Sequence, residues 1–259
     1  MRCAGIDIGS RTIELVVLKN REIIESKQAD TGFDPMAQAK ALLEGMKYDS
    51  ILAMRYGRHL FEISFDAPTV TEIKAYAVGA KALFPEVRTI LDIGGQDSKA
   101  IAVNDNGRIT KFEMNDRCAA GTGKFLEIMA QALGYRLDQF GEEALKATRE
   151  VRISSMCTVF AESEVTSLVA REESRQDIAL GLHDSVVRRA VGMLKRTSVK
   201  EAIIFAGGVA RNPCIRRLLE KAMDKDIMVP EDPQMVGAMG AALLAEKING
   251  LPTRDIKKL

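Results

Sequence analysis

The chain has 259 residues, of which 46% are hydrophobic, and it carries 37 Lys and Arg against 36 Asp and Glu. The net charge of +1 gives no basic excess for nucleic acid or an anionic membrane. The longest apolar run, near residues 235–245, is shorter than the roughly 18 residues that a membrane span needs. We therefore expect no nucleic-acid and no membrane partner. Because a strand-like motif begins almost at once, we expect no signal peptide and a cytoplasmic protein.

The first third of the chain mixes strands with helices. Apolar runs of β type predict four strands, at 2–8, 12–19, 22–26 and 51–55. Apolar residues at helical spacing predict helices at 35–46 and 71–83, and Pro85 ends the second of these.

The rest of the chain begins with strands and continues with helices. Strands are predicted at 89–92, 98–103, 108–113, 201–206 and 227–229, with an Asn-Gly-containing turn joining the second to the third. Helices are predicted at 122–133, 137–147, 158–171, 176–195, 213–223 and 234–248. Strands interleaved with helices and hairpins favour an α/β architecture with mixed sheets.

One short sequence motif occurs twice in the chain. In residues 5–9 and again in 91–95, an apolar strand reaches Asp, then Gly, and a second apolar strand returns. Such a repeat indicates a duplicated fold. It predicts two related lobes that place their turns on opposite sides of one cleft. The expected lobes are 1–86 and 87–259, with the closing helix able to pack back on the first.

The first candidate site is the turn 7–12, which contains Asp7, Gly9, Ser10, Arg11 and Thr12. Glycine allows a tight turn that exposes backbone N–H groups to an anion. Asp7, at the strand end, could hold Mg²⁺ through water, since Mg²⁺ keeps most of its hydration shell. The alternative interpretation is an ordinary hairpin with a Gly-Ser turn.

The second candidate site is the turn 92–99, which combines Asp92, Gly94, Gly95, Gln96 and Asp97. Two glycines and two carboxylates suit a second phosphate grip, and a polar side chain is left to orient an attacking water. A solvated turn is the alternative, but the match to the first turn argues against it.

A third turn follows a buried strand, where Gly207 and Gly208 precede a helix start and Asn212. Two glycines let the backbone approach an adenine or ribose, and a helix N-terminus adds positive potential. A lone turn of this kind would be weak evidence. Here it is the third such turn in the chain.

Cys118 and Cys157 lie in two unusual segments, 115–123 and 154–162, and each is expected to open a helix. A thiolate near a helix N-terminus has a lowered pKa and is ready to bind iron. Two thiolates are too few for an iron–sulfur cluster, which takes about four, so the pair suggests a homodimer that shares one cluster. The alternative is that both are buried and inert, which we expect of Cys3 and Cys214.

The three turns, in this order, resemble those of the superfamily of sugar kinases, actin and the heat-shock cognate chaperones. Segments 92–99, 115–125, 155–165 and 205–212 narrow this resemblance to the activator family of 2-hydroxyacyl-CoA dehydratases. That family also includes the ATPase subunits of benzoyl-CoA reductases and activators of double-cubane cluster proteins. The resemblance covers nearly the whole chain. It implies an actin-like, ribonuclease H-like fold of two lobes with a nucleotide cleft between them.

The resemblance also implies cofactors and partners. Family members are homodimers with one [4Fe–4S] cluster between subunits, held by two cysteines each, which match Cys118 and Cys157 here. ATP changes the angle between the helices at the cluster, and an electron then passes to a partner enzyme. The nucleotide motifs match Gly9, Ser10, Thr12, Gly94, Gly95, Gln96, Gly207, Gly208 and Asn212. The sequence departs from the family at Tyr76, where many relatives have His, and this leaves the partner open.

Our main hypothesis is an ATP-dependent one-electron reductase, reloaded by ferredoxin or flavodoxin, that activates a partner iron–sulfur dehydratase or reductase. Asp7 and Asp92 would manage Mg²⁺, and Gln96 or Asp97 would position the hydrolytic water. A small-molecule kinase without a cluster is the enzyme alternative, although no substrate insertion is visible in so short a chain. An actin-like or sensor ATPase, in which nucleotide controls only assembly, is the non-enzyme alternative.

Overall fold

The computed structural model describes residues 1–155 and 157–248. Contacts divide the chain into two compact units. Unit 1 consists of Met1–Val87, Val103–Ile109 and the chain from Gln234 onward, and unit 2 consists of Arg88–Ala102 and Thr110–Pro233. No helix in the described residues is both long and apolar enough to cross a bilayer.

Unit 1 contains a four-stranded sheet in the order β3-β2-β1-β4. The strands are β1 (Arg2–Ile8), β2 (Thr12–Lys19), β3 (Glu22–Asp30) and β4 (Ser50–Met54). β1 pairs antiparallel with β2 and parallel with β4. β1 and β2 are apolar and buried almost throughout, whereas the edge strand β3 is largely exposed. β3 continues to Asp30, beyond the predicted end at 26, because its ladder with β2 continues to the end of the hairpin.

Among the described residues, unit 1 has four helices, numbered along the whole chain: α1 (Pro35–Leu43), α2 (Arg58–Phe65), α3 (Glu72–Leu83) and α9 (Val236–Ile248). The Asp34 side chain caps α1 by accepting from the N–H groups of Met36 and Ala37. α1 ends before the predicted residue 46, and Gly45 beyond it has a positive φ of 76°. α2 was not predicted from the sequence, and Phe61 is its buried residue.

The final helix, α9, lies against β1 and α3 within unit 1. Glycines make this close packing possible. A Cβ on Gly5 would lie 2.0 Å from the Ala238 carbonyl oxygen, and one on Gly240 would lie 1.8 Å from that of Ala75. A helix with alanine and glycine on its contact face can therefore approach the sheet backbone directly.

Unit 2 is built on a five-stranded sheet in the order β7-β6-β5-β8-β9. Its strands are β5 (Thr89–Ile93), β6 (Ser98–Val103), β7 (Ile109–Asn115), β8 (Ile203–Ala206) and β9 (Ile227–Met228). β5 pairs antiparallel with β6 and parallel with β8, which is how β1 pairs with β2 and β4. The repeated motif in the sequence thus corresponds to a repeated strand topology, and the prediction of mixed sheets is confirmed.

The helices of unit 2 are α4 (Gly123–Ala132), α5 (Leu137–Ala144), α6 (Thr158–Ala170), α7 (Arg175–Thr197) and α8 (Pro213–Met223). α7 carries the predicted apolar stripe and lies in the core of the unit. A short 3-10 helix, Gly208–Arg211, precedes α8. The main core of unit 2 therefore forms around α7, which packs against α4, α5, α6 and α8.

Candidate functional site

The first turn joins β1 to β2 in unit 1. The Gly9 N–H donates to the Thr12 carbonyl at 3.1 Å, and the Thr31 hydroxyl donates to the Gly9 carbonyl at 2.8 Å. A Cβ on Gly9 would lie 2.7 Å from the Thr12 oxygen, so the turn requires glycine. Ser10 is half-buried and Arg11 is exposed. The turn is therefore fixed by its backbone, and its polar side chains lie at the surface of the unit.

Asp7, at the end of β1, is fully buried beside an arginine that the sequence analysis missed. The Arg55 Nε lies 3.5 Å from the Asp7 Oδ1 and 3.4 Å from the Glu72 Oε2. The Arg55 Nη2 donates to the Tyr76 hydroxyl at 2.7 Å. Residue 55 had been predicted as the end of a strand, but β4 ends at Met54 and Arg55 turns away with φ of 71°. Nothing in the local sequence signalled this conformation.

The second turn joins β5 to β6 in unit 2. It closes with the same kind of hydrogen bond as the first turn, since the Gly94 N–H donates to the Asp97 carbonyl at 2.9 Å. Gln96 is exposed, and Asp97 is half-buried. The buried Lys99 ammonium lies 3.1 Å from the Asp92 Oδ2 and 2.9 Å from the Asp97 Oδ2. Two carboxylates predicted at the site therefore share one buried cation.

The second turn is also bonded to the start of α4. The Gly123 N–H donates to the Gly94 carbonyl at 2.9 Å, and the Lys124 N–H donates to the Gly95 carbonyl at 2.7 Å. These N–H groups belong to the first turn of the helix, where no intrahelical acceptor exists. The candidate phosphate turn and the segment that follows Cys118 are thus joined by direct backbone hydrogen bonds.

The third turn approaches the second within unit 2. Gly207 follows β8 with φ of 83°, and a Cβ there would lie 2.4 Å from both the Asp92 Oδ1 and the Ile93 carbonyl oxygen. Gly208 is exposed at the start of the 3-10 helix. The structure therefore brings Gly207 and Asp92, two predicted site residues, into contact.

Asn212, the last predicted residue of this turn, has its side chain engaged in the fold. Its Oδ1 accepts from the Ile215 N–H at 3.1 Å and so caps α8. Its Nδ2 lies 3.0 Å from the Nε2 of the buried His183, whose Nδ1 lies 2.7 Å from the Ala179 carbonyl. The carbonyl requires Nδ1 to carry the proton, so Nε2 accepts from Asn212. Burial lowers the pKa of His183 to about 4, and the bond to Ala179 offsets this only in part.

Cys118 lies in a loop before α4, not at the first residue of the helix as predicted. The Asn115 Nδ2 donates to the carbonyls of Cys118 at 2.9 Å and Ala120 at 3.1 Å, which holds this loop. The helix begins later, at Gly123, after the positive φ of Gly121. The Cys118 side chain is free of disulfide bonds and half-buried.

Cys157 is the N-cap residue of α6, in agreement with its predicted place at a helix start, and it is exposed. The Glu164 carboxylate accepts from the Ser154 N–H and hydroxyl and from the Ser155 N–H, each at 2.9 Å. Burial alone would raise the pKa of Glu164, but these hydrogen bonds outweigh it and lower the pKa. The loop that leads to Cys157 is therefore anchored to its own helix.

The thiols of Cys118 and Cys157 are both at least partly accessible to solvent. Among residues 1–155 and 157–248, no three His, Cys, Asp or Glu side chains come together as metal ligands. Val159 and Phe160, in the first turn of α6 after Cys157, are 67% and 68% exposed. Accessible thiols beside exposed apolar side chains are a donor set that a second subunit could complete. Cys3 and Cys214 are buried as predicted, and burial raises the pKa of Cys214 to about 12.

Known proteins resemble this chain over nearly its full length. Residues 4–245 match the BadF/BadG/BcrA/BcrD ATPase family. The activator of lactoyl-CoA dehydratase from Anaerotignum propionicum is 41% identical over 95% of this chain and 97% of its own. Component A of (R)-2-hydroxyglutaryl-CoA dehydratase from Acidaminococcus fermentans has a TM-score of 0.89 at 39% identity, covering 95% of this chain and 98% of its own.

A further solved structure contains a nucleotide analogue. The activator of 2-hydroxyisocaproyl-CoA dehydratase from Clostridium difficile, with bound ADPNP, has a TM-score of 0.87 at 37% identity and covers 98% of this chain and 99% of its own. A ROK family glucokinase from Streptomyces griseus has a TM-score of 0.61 at 13% identity, over 95% of this chain and 100% of its own, which is a likeness of fold alone. The predicted actin-like, sugar-kinase type of fold is confirmed.

Proposed function

This chain belongs to the BadF/BadG/BcrA/BcrD ATPase family, and we infer from that membership that it is an ATP-hydrolysing activator of an iron–sulfur enzyme. The partner would be a 2-hydroxyacyl-CoA dehydratase or a related reductase component, such as a double-cubane protein. The lobes 1–86 and 87–259, with the closing helix packed back on the first, are part of this proposal, as is a cytoplasmic location.

The nucleotide would be bound by the three glycine turns. Backbone N–H groups at Gly9 with Ser10, Arg11 and Thr12 would face one part of the phosphate chain, and those at Gly94 and Gly95 another. Gly207 and Gly208 would admit the adenosine. Support for the second and third turns lies in the close approach of Gly207 to Asp92, which leaves no room for a side chain between them. Asn212 would act here by capping α8 at the turn.

Mg²⁺ would be held near Asp7 and Asp92. Both carboxylates are fully buried at strand ends next to glycine turns, and Asp92 already lies beside a cation, Lys99. Oxygen ligands and retained water are the chemistry that Mg²⁺ prefers, so the donor set fits the ion. When bound, Mg²⁺ neutralises phosphate charge.

Gln96 is our preferred residue for positioning the hydrolytic water. Its amide is exposed at the second turn, whereas the Asp97 carboxylate is bonded to Lys99. Asp97 remains the alternative for positioning the water. Its ability to do so would then depend on the Lys99 ammonium, which neutralises its carboxylate. An amide can hold a water by donating and accepting hydrogen bonds without taking its proton.

The observation that carries the proposal is the pair of hydrogen bonds from Gly123 and Lys124 to Gly94 and Gly95. A phosphate that moves the second turn would pull on the start of α4, and Cys118 lies a few residues before that start. This gives a short physical connection from nucleotide to thiol. Such a linkage is what an activator needs if ATP is to control electron transfer.

Cys118 and Cys157 of two identical subunits would provide the four thiolates of one [4Fe–4S] cluster per homodimer. When bound, the cluster supplies a one-electron carrier of low potential, and a ferredoxin or flavodoxin would donate the electron. The N-cap position of Cys157 favours the thiolate, because the helix dipole and unpaired N–H groups stabilise negative charge there.

Iron content tests this proposal. The protein is reconstituted with iron and sulfide without oxygen, and about four iron atoms per dimer are expected. Cys118→Ser and Cys157→Ser should each lose the iron and the brown absorption, whereas the buried Cys214→Ala serves as the matched control and should keep both. A monomeric, colourless wild-type protein, or a Cys118→Ser protein with full iron, would contradict the assignment. Phosphorylation of a sugar or acyl acceptor would favour the kinase alternative.

A further inference from the structure

Arg55 has an unusual backbone conformation for a buried side chain. Seven residues other than glycine have positive φ in the described part of the chain, and six of them are exposed. Arg55, with φ of 71°, is the exception, and its side chain is 12% exposed. A non-glycine residue in this region costs about 1 kcal/mol or more, so the surrounding structure must hold it there.

Three side chains hold the Arg55 guanidinium. Tyr76 accepts a 2.7 Å hydrogen bond from Nη2, and the guanidinium carbon lies 5.4 Å from the centre of the Tyr76 ring. Glu72 and Asp7 have carboxylate oxygens 3.4 Å and 3.5 Å from Nε. The Tyr76 hydroxyl therefore anchors a cation.

The same guanidinium lies against the first phosphate turn. A Cβ on Gly9 would lie 3.5 Å from the Arg55 Nη1 and 3.6 Å from its Cδ. On the opposite side, a Cβ on Gly237 would lie 2.8 Å from the Asp7 Oδ2 and 2.9 Å from the Tyr76 Cε2. The start of α9 therefore packs tightly against Asp7 and Tyr76, which limits how far these two side chains can shift.

Negative charge gathers at this place. The carboxylates of Asp7 and Glu72 both lie against Arg55, and a nucleotide would bring further negative charge to the Gly9 turn. A cation at the turn would reduce the repulsion between the buried Asp7 carboxylate and a phosphate. A planar guanidinium, always charged and with donors on several sides, suits simultaneous contact with carboxylate and phosphate.

We propose that Arg55, anchored by Tyr76, is a protein-borne cation that contacts the phosphate chain of the nucleotide at the first turn and partly replaces Mg²⁺ there. The proposal rests on the nucleotide binding proposed above. The Arg55 cation would make ATP binding by this chain less dependent on Mg²⁺. Neither Arg55 nor Tyr76 was among the site residues that the sequence suggested.

The test measures ATP affinity with excess Mg²⁺ and again with EDTA, using a fluorescent ATP analogue and the anaerobic full-length dimer. Loss of one charge-assisted hydrogen bond should weaken binding about tenfold. We expect Arg55→Gln to lose about tenfold in EDTA and about twofold in Mg²⁺, and Tyr76→Phe to lose about threefold in EDTA. Arg55→Lys should recover part of the loss because it keeps the charge.

Two further variants make the result interpretable. Arg55→Gly accepts the positive φ without strain, so it should fold and should show the same loss in EDTA as Arg55→Gln. Arg21→Gln removes an arginine that is 72% exposed in the same unit, and it should bind as the wild type does in both conditions. If wild type, Arg55→Gln and Arg55→Gly bind the ATP analogue equally well in EDTA, the proposed phosphate contact of Arg55 is overturned. A wild-type protein that fails to bind ATP even with Mg²⁺ overturns the proposed function instead.

Discussion

The neutral, buried His183 should make the protein acid-sensitive. It lies at 0% exposure against Phe140, between the Ala179 carbonyl and Asn212, and its pKa is lowered from 6.5 to about 4. Between these two values the unfolded chain binds a proton that the folded chain does not. Stability therefore falls as pH falls through this window, and it is fully present only above about pH 6.5.

The magnitude follows from the shift. A difference from 6.5 to about 4 corresponds to about 3 kcal/mol when the pH is well below 4. At pH 5.5 the unfolded imidazole is mostly protonated and the folded one is not, which amounts to about 1 kcal/mol. At pH 7.5 both imidazoles are neutral, and the contribution is negligible.

Urea denaturation of wild type and His183→Gln at pH 7.5 and pH 5.5 isolates this term. Other titrating groups contribute equally to both proteins and cancel in the difference. The stability advantage of wild type over the variant should shrink by about 1 kcal/mol between the two pH values. His59→Gln, at an exposed position on α2, controls for the loss of a histidine in general. An advantage that stays constant with pH would refute the reasoning.

Two further substitutions have matched controls. Gly207→Ala should destabilise the protein by about 3 kcal/mol or more and abolish nucleotide binding, because its Cβ would lie 2.4 Å from the Asp92 Oδ1. Gly45 also has a positive φ, but a Cβ there would meet no atom within 4 Å, so Gly45→Ala should cost only about 1 kcal/mol. Equal melting temperatures of the two variants would contradict the packing argument. Glu164→Ala should cost about 2 kcal/mol and weaken iron retention, since it leaves the Ser154 and Ser155 N–H groups without their acceptor. Glu162→Ala, two residues away on the same helix and exposed, should leave both stability and iron retention unchanged. Iron loss equal in the two variants would show that the loop anchor is irrelevant.

The sequence predicted the turns well, because their chemistry is local. Gly9, Gly94 and Gly207 each follow an apolar strand, and a strand that ends in glycine is recognisable without knowledge of its neighbours. The repeated Asp-x-Gly pattern predicted the repeated strand topology for the same reason. Element ends were less accurate: β3 is longer and α1 shorter than predicted, since both depend on pairing and on backbone angles beyond the local pattern.

The contacts between the turns and the rest of each unit were not readable from the chain. Lys99 was not among the predicted site residues, yet it is buried and lies close to both Asp92 and Asp97. The hydrogen bonds from Gly123 and Lys124 to the second turn join residues far apart in sequence. Asn212 is a predicted nucleotide contact, and the sequence did not show that its amide also caps a helix and bonds to His183.

Sequence alone determined which residue types stand at the three glycine turns and where the cysteines lie along the chain, because these follow from the order of amino acids. The tertiary structure decided what those residues touch. Arg55 shows the difference most clearly: a positive φ turns its side chain back towards Asp7, Glu72 and Tyr76, and no periodicity or motif encodes that direction. Charge pairing and backbone direction depend on which segments packing brings together, and only the folded chain fixes this.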